Sequence, residues 1–239
     1  MLSHISLSDI LFIDIETAPL VYQFGDLEPH VQDLWSRKTQ WIQHREEKSA
    51  DEVYERAGIY AEFSKVICAT VGYFAEVDGE RSFRMKSFAG DDEEKLLTGL
   101  KEIFKRFFRK NKALLCAHNG KEFDFPFLAR RYVVQNITLP EVLQLAGKKP
   151  WEVSHLDTMD LWKFGDYKHY TSVELLAHTL GIQSPKDDIS GADVAKVYYE
   201  DKDLSRIQRY CEKDVVTIAR ILQRFKGVDV VADEDVVLL

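Results

Sequence analysis

The sequence is poor in the residues that mark extracellular scaffolds, linkers and membrane spans. It has three cysteines, six prolines and twelve glycines among 239 residues. Cys68, Cys116 and Cys211 are odd in number, far apart and set in apolar or helical contexts, which suits buried reduced thiols better than disulfides or a clustered zinc motif. There is no Pro- or Ser-rich linker, low-complexity tract or internal repeat, so a single domain over residues 1–239 is expected. No apolar run approaches the ~20 residues of a bilayer span, and the opening MLSHISLSD lacks the basic-then-apolar order of a secretory leader. The expectation is a cytoplasmic protein without a membrane partner. Net positive charge is also missing. With 32 Lys and Arg against 40 Asp and Glu the chain carries −8, so a polyanion could be met only through local basic patches or bound cations.

What is present is a globular composition, 45% hydrophobic and 12% aromatic, on a chain long enough to bury a substantial core. Residues 9–15 read as a central strand, apolar on both faces. Residues 20–63, with Trp35, Trp41, Tyr54 and Tyr60 among many charges, have helical spacing and predict two or three helices inserted after that strand. SKVICATVGYFAEVDGERSFRMKSF predicts a hairpin turning at DGE. AGDDEEKLLTGLKEIFKRFFRKNK is a helix with an acidic start and a basic end. ALLCAHN reads as the next strand and FDFPFLARRYVVQN as a helix with Pro126 in its first turn. A short strand in SHLDTMDL and helices at 172–180, 192–200 and 203–226 complete an alternation that predicts a three-layer α/β domain with a mixed sheet. For the acidic and apolar tail, residues 227–239, a final strand, a frayed terminus and a partner-docking segment all stand.

Three stretches carry chemistry. In LFIDIET the alternation of a strand puts Asp14 and Glu16 on one face. Two carboxylates that close repel, and one has its pKa raised unless a cation sits between them. The other reading is that the strand ends before Asp14 and both acids are solvated. In AHNGKEFDF, Asn119 and Gly120 leave a strand and Asp124 stands near the next helix start, where an Asp is also a routine N-cap. In RYCEKDVVTIARIL, Ile207, Cys211, Val215, Ile218 and Leu222 belong to a buried stripe, and Tyr210 and Asp214, four apart, share a face just beside it. That position borders the core and looks into a cleft; the other reading is a boundary Tyr with a surface Asp nearby. His118, His155 and His169 match no metal-site spacing, so structural or surface roles are expected.

Taken in order, D-x-E-T on a strand, N-G-x-x-F-D at a strand-to-helix junction and Y-x-x-x-D on a late helix resemble the three exonuclease motifs of the DEDD superfamily of 3′–5′ exonucleases. The tyrosine marks one branch; the histidine branch would have His five residues before Asp214, where this chain has Arg209. The chain is most similar to stand-alone bacterial proteins related to the exonuclease domain of family B DNA polymerases, over residues 9–226 and including HLDTMDL and SPKDDISGADVAKVYYE. The 20–63 insertion is a departure shared with the bacterial relatives. The resemblance implies an α/β, ribonuclease H-like three-layer fold, a mixed central sheet flanked by helices with a helical insertion after the first strand. It implies Asp14, Glu16, Asp124 and Asp214 as ligands of two divalent cations, Mg2+ or Mn2+, with Tyr210 beside the attacking water. Main-chain groups around Glu16 and Thr17, with Asn119 and Phe123, would seat the terminal nucleotide; a core role for Phe123 stands equally.

The activity so implied is metal-dependent 3′–5′ exonucleolytic hydrolysis of single-stranded DNA. RNase D-like cleavage of RNA is the alternative, and a non-catalytic binding module is disfavoured because all four carboxylates and the tyrosine are present. The partner expected is single-stranded nucleic acid, DNA favoured, together with DNA replication or repair proteins; any proofreading would act in trans, and oligomeric state is left open. Basic residues interleaved with aromatics occur in WSRKTQWIQHR and KRFFRKNK. The first lines a path for single strands or is an amphipathic helix whose tryptophans pack on the sheet; the second sits at a helix C-terminus, where dipole effects alone favour Lys and Arg.

Overall fold

ILFIDIETAP forms strand β1 (Ile10–Pro19), which runs through both acids without a break. The structure is a computed structural model describing residues 2–77, 79–109, 112–166, 170–183 and 189–239. Asp78 of the DGE turn, residues 110–111 of the second basic cluster, His169, and residues 184–188 of SPKDDISGADVAKVYYE lie outside the described residues. After β1 come α1 (Pro29–Glu46), the hairpin β2 (Ser64–Val77) and β3 (Glu80–Ala89), α2 (Glu93–Phe107), β4 (Leu114–Ala117) and α3 (Asp124–Val134). Then follow β5 (Leu156–Asp157), α4 (Thr158–Lys163), α5 (Val173–Thr179), α6 (Val194–Lys196), α7 (Leu204–Lys226) and β6 (Val236–Leu238).

The six strands lie in the order β5-β4-β1-β2-β3-β6. β1 pairs antiparallel with β2 and parallel with β4, so it occupies the middle of a mixed sheet. Its ladder with β2 continues through Asp14↔Thr70 and Glu16↔Cys68. The strand therefore does not end before Asp14: the backbone of both acids stays paired, and Ile13 and Ile15 bury themselves on the opposite face. On that face Leu11, Ile13 and Ile15 pack with Leu97 and Leu100 of α2 and Phe125 and Leu128 of α3. On the other face Ile10 and Phe12 pack with Val215, Ile218 and Leu222, the apolar stripe of α7. Helices on both faces of a mixed sheet make the three layers that the alternation predicts.

The insertion is helical as expected, with one α-helix, α1, between 3-10 helices at Phe24–Asp26 and Glu52–Ile59. Its aromatic residues hold these pieces together: Trp35 meets Tyr54, Tyr60 and Phe63 edge-on, with ring centroids 5.1–5.3 Å apart, and forms a small core separate from the sheet. Its Nε1 donates to the Ala50 carbonyl at 2.8 Å. Trp41 stays 66% exposed, under the Arg45 guanidinium at 4.4 Å from its ring. The helix expected at 192–200 forms over 194–201, as α6 running directly into a π-helical segment at Val197–Asp201. The tail takes the final-strand form, β6 pairing parallel with β3 through Phe83↔Val236.

One buried ion pair joins four segments. Arg131 of α3 donates from Nε and Nη2 to Glu93 of α2 at 2.8 and 2.6 Å, and from Nη1 to the Ala61 carbonyl at 2.8 Å. Glu93 also accepts the Val66 N–H of β2 at 2.8 Å. Both side chains are 3% exposed, so removing one charge strands the other away from water. Arg131→Met is expected to lose about 3–5 kcal/mol in urea unfolding, whereas the double replacement Glu93→Leu/Arg131→Met loses less than that.

Candidate active site

β1 and β4 are paired only from Ile10↔Leu114 to Phe12↔Cys116. β4 then ends at Ala117 while β1 continues to Pro19, so a cleft opens beside the second half of β1. Crevices beyond the carboxyl ends of parallel strands are the usual ligand sites of α/β sheets. The chain leaves β4 through Asn119, at φ 61, and Gly120, where an added Cβ would meet Ala117 Cβ at 2.4 Å. Only glycine fits that approach.

Asp124 is the first residue of α3; the N-cap position belongs to Phe123. The N-cap reading is thus corrected. The carboxylate accepts its own N–H and, across the gap, the N–H of Ile15 on β1, a tertiary contact that no local rule contains. From the opposite face, α7 presents Tyr210 and Asp214, whose side chains are hydrogen-bonded to each other. Cys211, between them in sequence, donates from Sγ to the Asp14 carbonyl at 3.4 Å. Strand alternation and helix spacing therefore converge on one place, and the surface-acid readings of Asp14, Glu16 and the Tyr210/Asp214 pair fall away.

The electrostatics report the same convergence. Burial, then the charges of Glu16, Asp214 and Asp124, raise the Asp14 pKa well above the usual carboxylate range. Glu16 is raised by burial and by Asp214, with contributions from Cys68 and Asp124. Burial pushes Asp124 up to about 8, with the charges of Asp157 and Asp214 adding to it and the two N–H donors opposing. Burial and the charges of Asp214, Glu16 and Asp14 hold the Tyr210 hydroxyl far above its ordinary value, so it is protonated at neutral pH.

Among the described residues, three buried side-chain oxygens have no hydrogen-bond partner: Asp14 Oδ2, Asn119 Oδ1 and Asp124 Oδ1. All three belong to the predicted site. Unpaired buried oxygens are costly, and a group of ionised ones is costlier still. Hard oxygen donors with no proton partner suit a divalent cation of the Mg2+ or Mn2+ class, so the residues present fit such an ion.

The residues expected to seat a substrate are distributed differently. Thr17 spends its hydroxyl on the Gly58 carbonyl at 2.7 Å, which anchors the insertion to β1, and its backbone stays in register with Val66 of β2. Phe123 is half-buried and packs against the core, its ring centroid 5.4 Å from that of Phe127. Asn119 directs its N–H to Asp157 at 2.9 Å. Two further residues were not singled out by the motifs. Asp157, 2% exposed, accepts N–H groups from Asn119, Lys121, Met159 and Asp160 at 2.9–3.3 Å. It thereby caps α4 and holds the loop of Asn119 in place; the D-T before a helix in HLDTMDL was its signal. Tyr170 is 68% exposed, and its pKa is raised by partial burial and then by the charges of Asp124, Asp157 and Glu122.

His118 and His155 are structural. His118 donates from Nε2 to the Thr171 carbonyl at 2.8 Å and meets Thr158 Oγ1 through Nδ1 at 2.9 Å. His155 accepts the Leu115 N–H at 3.3 Å and donates to the Val142 carbonyl at 2.9 Å. In the insertion Lys38 pairs with Glu62 at 3.2 Å and Arg56 with Glu46 at 2.7 Å, so much of its positive charge is already matched.

A family model described as the RNase_H superfamily (RNase_H_2) matches residues 54–226. The fold is similar to that of the family B DNA polymerase from the hyperthermophilic archaeon Pyrobaculum calidifontis, with a TM-score of 0.56 and 16% sequence identity over 90% of this chain. The likeness covers 24% of the polymerase chain. No described helix is long and apolar enough to cross a membrane.

The raised carboxylate pKa values give the metal-free protein a signed pH dependence. Between about pH 4, where free carboxylates titrate, and about 8 for Asp124, the folded state binds more protons than the unfolded chain. Stability from these groups is full below that window and falls as pH rises through it. In EDTA, Asp124→Asn is therefore expected to raise Tm relative to wild type by more at about pH 8 than at about pH 5. Thermal unfolding with saturating Mn2+ should raise the wild-type Tm and leave that of Asp124→Asn nearly unchanged.

Proposed function

The chain belongs to the RNase_H superfamily, and from that premise we propose that it is a metal-dependent 3′–5′ exonuclease that hydrolyses phosphodiester bonds at the end of single-stranded DNA. Membership gives a nuclease-type function. The observation that carries the finer reading is the meeting of Asp14, Glu16, Asp124 and Asp214 in one cleft, with Asp14 Oδ2 and Asp124 Oδ1 buried and unpartnered. The order and spacing of the motifs support exonucleolytic attack from a 3′ end.

Phosphodiester hydrolysis needs a strong oxygen nucleophile at neutral pH, relief of charge on the phosphate and stabilisation of a departing 3′ oxygen. Two divalent cations, Mg2+ or Mn2+, held by the four carboxylates would supply that Lewis acidity at both the attacking and leaving oxygens. They also answer the problem of net charge, since a chain at −8 with four acids in its cleft otherwise repels a phosphate. The protein's own groups do the rest. Tyr210 keeps its proton and is hydrogen-bonded to Asp214, so it orients a water for in-line attack and does not act as the base. Asp157 holds the loop that presents Asn119. Phe123, half-buried beside Phe127, would stack its ring face on a base, a contact worth ~1–3 kcal/mol where such stacking has been measured.

The test is a cleavage assay with 5′-labelled single-stranded DNA, duplex DNA and RNA, with Mg2+, Mn2+ or EDTA. Wild type should yield a ladder that shortens from the 3′ end of single-stranded DNA, requires metal, and disappears in Asp14→Asn/Asp214→Asn. A ladder on RNA alone transfers the reading to an RNA exonuclease, and no cleavage of any substrate replaces it with a binding module. Tyr210→Phe should keep Mn2+ binding by calorimetry while turnover drops roughly 10²-fold or more; Mn2+ affinity falling as far as in Asp14→Asn would overturn the role given to Tyr210.

A further inference from the structure

The floor of the cleft holds two thiols that hydrolysis does not use. Cys211 is fully buried on α7. Its sulfur and one carboxylate oxygen from each of Asp14 and Glu16 lie within 4.8 Å of one another. Cys68 stands opposite Glu16 in the β1–β2 register, and its side chain is hydrogen-bonded to that of Cys211. A ligand is called for at this corner because Asp14 Oδ2 is buried without a partner, the same oxygen for which a hard cation would compete.

Two carboxylates and a thiol make a mixed oxygen and sulfur donor set. Mg2+ gains little from sulfur, whereas Zn2+ and Cd2+ gain most, and three protein ligands leave the fourth position of a tetrahedral centre open. With bonds of ~2.0–2.3 Å the ligand atoms of such a centre sit about 3.5 Å apart, so closure on the ion requires side-chain movements of about 1 Å. We propose that Asp14, Glu16 and Cys211 form a site for a thiophilic divalent cation of the Zn2+ class, which excludes hard cations from the two shared carboxylates. The inference rests on the exonuclease reading for its consequence, arrest of cleavage by the bound ion. Coordination exchanges the S–H bond for a sulfur–metal bond and releases the thiol proton to solvent; no redox partner is involved.

The probe is Cd2+ added to metal-free protein, read as thiolate-to-metal charge-transfer absorption in the near ultraviolet. Wild type is expected to develop the band at one equivalent, and excess Mn2+ to bleach it by competing for the carboxylates. Cys211→Ser and Cys211→Ala should both lose the band, with circular dichroism verifying that they fold. Cys116→Ser, whose thiol lies in the core beside Phe12 and Val215, should keep it. Asp14→Asn, which leaves every thiol in place, should weaken Zn2+ binding by at least the ~10-fold that loss of a supporting contact costs a metal site. No band in wild type, a band unchanged in both Cys211 variants, or a band indifferent to Mn2+ overturns the proposal. Wild type that cleaves with Mg2+ but shows no band leaves the exonuclease reading intact and removes only the thiol site. A band without cleavage of any nucleic acid retains the site and removes the exonuclease reading.

Discussion

Four carboxylates brought into one buried cleft repel each other and lose their hydration, and the rest of the fold has to hold them against both effects. The pKa values of Asp14, Glu16 and Asp124 are all raised, with burial the largest cause in each case. Two of their oxygens have no partner. Such an arrangement destabilises the empty protein and creates affinity for a divalent cation by the same physics. Its persistence depends on anchoring the acids through three rigid elements: Asp14 and Glu16 through the ladder of β1 with β2, Asp124 through the first turn of α3, and Asp214 through the 23 residues of α7.

The layers supply the opposing force. Val215, Ile218 and Leu222 press α7 onto Ile10 and Phe12, which carries Tyr210 and Asp214 to the acid face of β1. On the far face α2 and α3 pack on Leu11, Ile13 and Ile15, fixing where Asp124 begins its helix. The Glu93–Arg131 pair ties these helices to β2 and to the end of the insertion. The insertion itself folds on Trp35 and touches the acid strand through Thr17 and Gly58. The insertion carries its own aromatic core, separate from the clusters on the two faces of the sheet.

Cys211 and Asp157 show how residues without a conspicuous motif acquire chemical meaning from their neighbours. Cys211 belongs to the apolar stripe of α7 and reads as a small hydrophobe, yet packing brings its sulfur within 4.8 Å of carboxylate oxygens of Asp14 and Glu16. Asp157 reads as a helix cap, which it is, but the same carboxylate also holds Asn119 and Lys121 across the cleft.

The sequence by itself determined what depends on local periodicity. Alternation of two along β1 placed Asp14 and Glu16 on one face, and the four-residue step on α7 paired Tyr210 with Asp214; both follow from backbone geometry whatever the surroundings. The three-layer class and the mixed sheet were legible too, from the alternation of strand and helix spacing and from the hairpin signal at DGE. Only the tertiary structure decided the matters that require segments distant in the chain to meet. These are the continuation of β1 past Asp14 through its ladder with β2, the reach of Asp124 to the Ile15 N–H, the hold of Asp157 on the Asn119 loop, and the packing of the insertion's α-helix and 3-10 helices around Trp35. Spacing along a chain specifies which side chains share a face; which faces end up opposite one another is set by how the apolar stripes pack.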